Sequence, residues 1–230
     1  MKKEIDMRDL ASAVIWWLNY ISAVGRNYII NESSIKYPVA EYLEKSICEK
    51  NNIKFGFNHP VLFDRSLDLF YKRDDLETAF EFKFIKDGST TSPGEKQRIF
   101  NDLMRLFFLG PEQKGYFLIC GIKSEFKNSF MEIKIPSDKS VPISPKVLSP
   151  FYEEWFCFND TPKEKTINLN KSDSNYKEIY DKFFKDYKAK PGKTMIRPDF
   201  IKTKMIFISQ ELIDSNIPEN LRIGIWEVLK

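Results

Sequence analysis

Apolar residues recur every three or four positions in four parts of the chain, which is the period of an amphipathic helix. This spacing predicts helices over residues 7–24, 37–49, 95–109 and 176–188. Pro38 suits the first turn of the second helix, and Ser33 or Ser34 is a candidate for its N-cap.

A different pattern, short apolar runs bounded by turn residues, predicts strands elsewhere. These segments are 55–63 with a break at His59-Pro60, 67–72, 78–85, 116–122, 131–135, 205–208 and 222–229. Within 78–85, Phe80, Phe82 and Phe84 alternate with Glu81 and Lys83. The two charged residues therefore share the strand face opposite the phenylalanines.

The order of the elements predicts the class of fold. A β-meander followed by a helix and a buried strand indicates an α/β (α+β) protein with a central mixed sheet flanked by helices. At 230 residues we expect a single domain over 1–230, with two small domains as the alternative. It comprises an N-terminal helix over 7–24, a core over about 33–122 and a C-terminal extension over 151–230.

Composition narrows the class of protein. The 42% apolar content, with 20 Phe, is enough for a substantial core, and the net charge of +3 imposes no global field. Cys48, Cys120 and Cys157 are widely spaced and are expected to be free thiols rather than zinc ligands or disulfides. With no apolar run of membrane length, we expect a soluble cytoplasmic protein that has no membrane partner.

Positive charge is concentrated between Lys188 and Lys204, where six basic residues accompany a single acid, Asp199. Lys190, Lys193 and Arg197 of this segment are candidates for contact with nucleic-acid phosphates. A solvated loop in a lysine-rich protein is the alternative.

Candidate chemistry lies in the hairpin of 67–72 and 78–85. Asp68 opens its first strand, and Glu81-Phe82-Lys83 lies on the second. Two acids can bind a hard divalent cation, and a lysine beside them can steady a hydroxide or a phosphate. Acid-x-Lys occurs five times in the sequence, close to the roughly four expected in so charged a chain. The strand context and the upstream aspartate distinguish the Glu81 copy.

These residues resemble the PD-(D/E)xK nuclease superfamily, whose fold is the restriction-endonuclease-like fold. The resemblance covers an acidic helix, the hairpin, the following helix and a buried strand, from about Ser33 to Ile122. It implies that Asp68 and Glu81 bind Mg²⁺, for which Mn²⁺ can substitute, and that Lys83 orients the attacking water or stabilises developing charge. The chain departs from the motif at Leu67, where the family has a proline.

The resemblance also implies a glutamate from the helix before the hairpin. Glu41 is the first choice because it precedes core residues, Glu44 lies three positions away on the same helix, and Glu32 is the third choice. Asp64 is the rival of Asp68, but it lies outside the strand pattern.

Polar residues of the next helix complete the list of candidates. Gln97 and Arg105 could face the site, with an Asp102–Arg105 pair on a polar helix surface as the alternative. Lys96 and Arg98 are further candidates for phosphate contacts. His59 precedes Pro60, so we expect it to be a turn or strand-edge residue rather than a catalytic one.

The sequence thus predicts a Mg²⁺-dependent endonuclease that acts on DNA, with restriction or defence against foreign DNA as the expected context. A homodimer is compatible with a double-strand cut. The alternatives are an inactive module that keeps the fold and binds nucleic acid or a protein, and a plain α/β domain. Because a site lysine serves chemistry more than packing, Lys83→Ala is expected to leave the melting temperature nearly unchanged.

Overall fold

A mixed sheet of seven strands forms the centre of the molecule. The computed structural model describes residues 5–47, 52–74, 76–85, 93–122, 133–134, 147–148, 152–157, 163–169, 176–209 and 221–230. The helices are α1 (Met7–Ala23), α2 (Glu32–Ile47), α3 (Pro93–Phe107), α4 (Tyr152–Trp155) and α5 (Tyr176–Asp186). The strands are β1 (Ile53–Asn58), β2 (Ser66–Arg73), β3 (Leu76–Ile85), β4 (Gln113–Ile122), β5 (Ile133–Lys134), β6 (Val147–Leu148), β7 (Glu164–Asn168), β8 (Phe200–Ile208) and β9 (Leu221–Leu229).

The strands of the main sheet follow the order β1-β2-β3-β4-β9-β8-β7, and β5 pairs with β6 in a separate ribbon. β3 and β4 are parallel neighbours, whereas the other adjacent pairs are antiparallel. Parallel neighbours need a crossover connection, and α3 supplies it. The predicted α/β class with a mixed sheet flanked by helices is therefore confirmed.

The C-terminal part of the chain belongs to the same sheet. β9 pairs with β4 on one side and with β8 on the other. Most residues of β9 are buried, as expected for a strand with neighbours on both sides. The segment 151–230, which the sequence presents as an extension, thus supplies three strands of the central sheet.

Two apolar cores lie on opposite faces of the sheet. On the α1–α2 face, Phe80 and Phe82 of β3 pack against buried residues of both helices, such as Leu18 and Leu43. On the α3–α5 face, the apolar residues of β3 that are buried are Ala79 and Ile85. Glu81 and Lys83 lie between those two residues in the strand alternation, so the charged pair faces α3.

Helix α2 begins earlier than its sequence predicts. Its first residue is Glu32, so Pro38 lies inside the helix rather than in its first turn. The reason is an N-cap at Asn31, whose side chain accepts a hydrogen bond from the Ser34 amide at 3.1 Å, while the Ser34 hydroxyl accepts one from the Asn31 amide at 2.9 Å. The early start places Glu32 and Lys36 on the first two helical turns.

Other boundaries differ by a few residues. β1 ends at Asn58, before His59, so the predicted strand over 55–63 is shorter at its C-terminal end. The sequence pattern missed α4 and β7, which are short. Of the predicted strand over 131–135, only 133–134 lie within the described residues. None of the helices that the structure describes is long and apolar enough to cross a membrane.

Candidate active site: a cluster of charged side chains

Asp68 lies beside Glu81 on neighbouring strands. β2 and β3 are antiparallel with Leu69 opposite Phe80, so Asp68 follows next in the register, opposite Glu81. The backbone amide of Phe82 donates a hydrogen bond to the Asp68 carboxylate at 3.1 Å. The structure therefore brings together the two acids that the sequence singled out.

Glu81 is completely buried and both of its oxygens are bound by one residue. Arg105 of α3 donates from Nε to Oε1 and from Nη2 to Oε2, each at 2.8 Å. This is the two-pronged geometry that a guanidinium favours with a carboxylate. Burial raises the pKa of Glu81 well above its usual range, although Arg105 opposes the shift.

The same guanidinium also pairs with Asp102, one helical turn earlier, at 2.8 Å. Burial lowers the pKa of Arg105, but the Glu81 and Asp102 carboxylates raise it by a larger amount, so the net shift is upward. Burial raises the pKa of Asp102 to about 7, against the pull of Arg105. Arg105 is therefore charged under all ordinary conditions and lies between two acids.

Lys83 reaches acids from two helices. Its ammonium lies 3.2 Å from the Glu32 carboxylate of α2 and also pairs with the buried Glu95 carboxylate of α3. Burial lowers the pKa of Lys83, but the two carboxylates raise it and the net shift is upward. Lys83 is thus a protonated cation at neutral pH, held from both sides.

These contacts join into one group, which we call the charged cluster. Lys36 of α2 completes it by pairing with Asp68 at 2.7 Å. The cluster contains more acids than bases. At the edge of the cluster, the exposed Arg98 lies 3.6 Å from the Glu95 carboxylate. The members of the charged cluster are Glu32, Lys36, Asp68, Glu81, Lys83, Glu95, Asp102 and Arg105.

Glu41 does not belong to the cluster, contrary to the sequence-based choice. Its side chain is 59% exposed and pairs with Lys45 at 2.5 Å. It lies nine residues after Glu32, which is about 13 Å along a helix. Glu44 is also exposed. The glutamate of α2 that contacts the cluster is Glu32, because the helix begins five residues earlier than predicted.

The Gln97 side chain is engaged toward α5. Its side-chain amide donates to Asn101 at 2.9 Å and to the backbone carbonyl of Ile179 at 3.0 Å, which ties α3 to α5. Lys96 lies against Trp155 and pairs with Glu154 at 3.1 Å. Arg98 is 76% exposed and remains available to a solution partner.

His59 has a structural role at the end of β1. Its Nδ1 accepts hydrogen bonds from the amides of Val61 at 3.1 Å and Leu62 at 2.9 Å. The proton therefore resides on Nε2, which lies 2.8 Å from the Arg105 carbonyl and donates to it. Burial lowers the pKa of His59 to about 4. The neutral imidazole thus anchors the backbone of Arg105. Asp64, the rival of Asp68, is exposed in the turn that follows.

The basic segment after α5 is partly engaged within the protein. Arg197 pairs with Asp181 at 2.8 Å and lies over the Phe184 ring, 4.7 Å from its centroid. The Lys190 amide donates to the Val61 carbonyl at 2.8 Å, whereas Lys193 is exposed. Of the predicted phosphate contacts here, Lys193 and Arg197 are exposed, and Arg197 is already paired with Asp181.

The cluster contains two oxygen donors of the kind that the metal implied by the resemblance prefers, and both are held by internal cations. Mg²⁺ prefers oxygen ligands and needs one or two carboxylates besides water, and Asp68 and Glu81 supply two. Burial is the main cause that raises the pKa of Glu81. The negative charges of Asp102 and Asp68 raise it further, so both carboxylates lie close enough to repel that of Glu81. In the structure Lys36 pairs with Asp68, and Arg105 pairs with Glu81. Among the described residues, no group of three or more His, Cys, Asp or Glu side chains is arranged to hold a metal ion.

Two members of the cluster, Lys36 and Glu95, were missed in the sequence because their signal depends on helix geometry, whereas Arg105 and its pairing with Asp102 were among the candidates. Glu95, Asp102 and Arg105 are seven and three residues apart, which places them on one stripe of α3. Lys36 follows Glu32 by four residues and shares its side of α2. A search for charged stripes that precede and follow the hairpin would have found both sets.

The charged cluster is thus built from two strands and two helices around Asp68 and Glu81. Comparison with known proteins adds no relative to this description: no family profile, curated protein or solved structure matches the chain.

Proposed function

We propose that this protein is a metal-dependent nuclease that hydrolyses phosphodiester bonds of DNA. The observation that carries the proposal is the convergence of Asp68, Glu81 and Lys83 on one face of the sheet, inside a largely buried charged cluster. Burying several charges is costly, and proteins accept that cost most often at functional sites.

The arrangement of elements supports the same proposal. The resemblance implies an acidic helix, a hairpin, a further helix and a buried strand, and α2, β2–β3, α3 and β4 follow in that order. The first turn of α2 brings an acid, Glu32, to Lys83. The parallel pairing of β3 with β4 positions α3 across the acid pair.

Each residue has a distinct role in the proposed reaction. Asp68 and Glu81 would bind Mg²⁺, and the Phe82 amide orients the Asp68 carboxylate. When bound, the ion lowers the pKa of the attacking water and neutralises the leaving oxygen. Lys83 stays protonated because of Glu32 and Glu95, so it stabilises negative charge on the phosphate rather than acting as a base.

Restriction or another defence against foreign DNA is a role that such an activity would serve, and a homodimer would provide the two sites that a double-strand cut needs. Two exposed cations are the proposed contacts to the DNA backbone: Arg98 on α3, which contacts Glu95 of the cluster, and Lys193 after α5.

A second candidate is a catalytically inactive module that binds nucleic acid or a protein. Its supporting observation is the engagement of both acids by internal cations, Arg105 on Glu81 and Lys36 on Asp68. A module without metal chemistry would keep such ion pairs permanently, because loss of either cation would leave an acid without its counter-charge.

A cleavage assay on supercoiled plasmid separates the two candidates. The wild-type protein should nick or cut in Mg²⁺ or Mn²⁺, and excess chelator should stop the reaction. Asp68→Asn should reduce the rate at least about 100-fold, since it removes a ligand and a charge needed in the transition state. Cleavage that persists in chelator contradicts the metal mechanism, and a total absence of cleavage favours the inactive module.

Two variants on one helix form a matched pair. Glu32→Gln should slow cleavage because it loosens Lys83, whereas Glu41→Gln makes the same chemical change on an exposed turn and should retain activity. The reverse outcome would restore Glu41 as the glutamate of the site.

A further inference from the structure

We infer that Arg105 is the resident counter-ion of Glu81 and that a divalent cation must compete with it for this carboxylate. The inference rests on the proposed function in one respect, since it takes Glu81 to be a metal ligand. The inference adds that Arg105, a residue outside the Asp68–Glu81–Lys83 motif, controls whether the site binds a metal ion.

The geometry of the Glu81–Arg105 pair carries the argument. Both carboxylate oxygens are taken, at 2.8 Å each, by two different nitrogens of one guanidinium. Glu81 is fully buried, so water cannot replace Arg105 by simple solvation. An arginine does not lose its proton in proteins. The carboxylate is therefore freed only when the guanidinium moves.

Asp102 is an alternative ion-pair partner for the Arg105 guanidinium. It already lies 2.8 Å from Arg105 Nη2 and is on the same helix, one turn earlier. After release from Glu81, Arg105 would keep this ion pair and would not become an isolated buried charge. The cost of the exchange is thereby reduced.

Hydrogen bonds anchor the backbone around the pair. His59 donates to the Arg105 carbonyl at 2.8 Å, and the Phe82 amide holds Asp68 at 3.1 Å. Because these backbone contacts do not involve the guanidinium, we expect the exchange to proceed by rotation of the Arg105 side chain. Such an exchange would be local.

The second internal cation is a weaker competitor. Lys36 approaches only Oδ1 of Asp68, and its side chain is 22% exposed. A lysine is a single flexible point charge, whereas a bidentate arginine is fixed in two directions. Arg105 is thus expected to determine most of the metal affinity.

The test is a calorimetric titration of the full chain with MnCl₂, without DNA. Arg105→Gln removes the competing charge and should bind Mn²⁺ at least about tenfold more tightly than wild type. Arg105→Lys keeps the charge but cannot hold both oxygens, and should lie between them. Arg8→Gln removes a charge from an exposed position of α1 and should match wild type.

A second background shows that the gain acts through Glu81. In Glu81→Gln, the additional change Arg105→Gln should not tighten Mn²⁺ binding, because the contested carboxylate is absent. A melting curve gives an independent readout: MnCl₂ should raise the Tm of Arg105→Gln more than that of wild type. Equal or weaker Mn²⁺ binding by Arg105→Gln overturns the inference.

If Arg105→Gln fails to fold, Arg105→Lys decides, and Mn²⁺ affinity equal to wild type then overturns the inference. The cleavage assay keeps this test separate from the nuclease proposal. Tighter Mn²⁺ binding with no cleavage by any variant supports the competition and contradicts the nuclease. Wild-type cleavage with unchanged affinity in the Arg105 variants does the opposite.

Discussion

The two faces of β3 are environments of opposite kinds. Phe80, Phe82 and Phe84 alternate toward the α1–α2 face and pack in an apolar core. Glu81 and Lys83 point the other way, toward α3, into the charged cluster. A single strand therefore contributes to packing on one face and to a group of ion pairs on the other.

The apolar core and the charged cluster contribute differently to the stability of the folded state. Burial of an aromatic ring contributes free energy without a matching partner. A buried carboxylate needs a cation and hydrogen bonds merely to offset its desolvation. On the α3–α5 face, apolar residues of the same size could therefore replace the buried ion pairs without loss of stability. Mutations on the two faces of β3 can measure this difference.

The largest effect is expected on the α1–α2 face. Phe82→Ala should lower the free energy of unfolding by about 3–5 kcal/mol, since it removes a fully buried ring and leaves a cavity. Denaturant titration followed by circular dichroism measures the loss. The matched change on the opposite face is Glu81→Gln, which keeps the shape.

For Glu81→Gln the loss should be less than about 1.5 kcal/mol, because Arg105 keeps Asp102 as a partner and the folded state already disfavours charge on Glu81. A loss as large as that of Phe82→Ala would show that the charged cluster stabilises the fold as strongly as the apolar core does.

The next effect is a pH dependence that originates at His59. Its pKa is about 4 in the folded protein and 6.5 when unfolded, because burial disfavours the cation. Between these values the unfolded state binds more protons, so stability falls as the pH falls from 6.5 to 4. The contribution lost is about 3 kcal/mol.

Comparison with His59→Gln isolates this contribution, since carboxylates of the cluster titrate equally in both proteins. Unfolding free energies at several pH values should converge toward acid pH. Parallel curves would mean that the pKa of His59 is the same in the folded and the unfolded protein.

A smaller effect is expected at Lys83, and here the structure revises the sequence-based expectation of an unchanged melting temperature. The ammonium holds Glu95 and Glu32, and the lysine side chain is only 13% exposed. Lys83→Ala should cost about 2 kcal/mol of stability in addition to its effect on cleavage. Thermal melting of Lys83→Ala beside Lys45→Ala, an exposed lysine, provides the measurement. Equal melting temperatures would show that the cluster does not depend on this cation.

The smallest effect concerns DNA binding by the basic segment. Neutralising Lys190, Lys193 and Arg197 together should weaken duplex binding and reduce the slope of log affinity against log salt by about 2. Arg197 is expected to contribute least because Asp181 already holds it.

A triple variant of exposed cations at the α1–α2 side provides the control and should keep the parental slope. Its changes are Arg8→Gln, Arg26→Gln and Lys45→Gln. Equal slopes for both triple variants and the parent would show that the basic segment is a solvated loop.

Much of the fold could be predicted from local pattern because the relevant period lies within a few residues. The alternation of Phe80, Phe82 and Phe84 with Glu81 and Lys83 required only the two-residue repeat of a strand, and the structure confirms the separation of faces. The short elements α4 and β7 were missed because so few residues carry no clear period.

The composition of the site was harder to predict because it depends on where helices lie against the sheet. The choice between Glu41 and Glu32 turned on the cap at Asn31, which moves the start of α2 and determines which glutamate meets Lys83. The importance of Arg105 depended on the crossover of α3 between β3 and β4.

The sequence by itself therefore determined the hairpin and the shared face of Glu81 and Lys83, because the geometry of a strand relates neighbouring residues directly. Only the tertiary structure decided that Arg105 binds both oxygens of Glu81, since these residues are 24 positions apart. Such a contact exists because the sheet and the packing of α3 bring the two chain segments together.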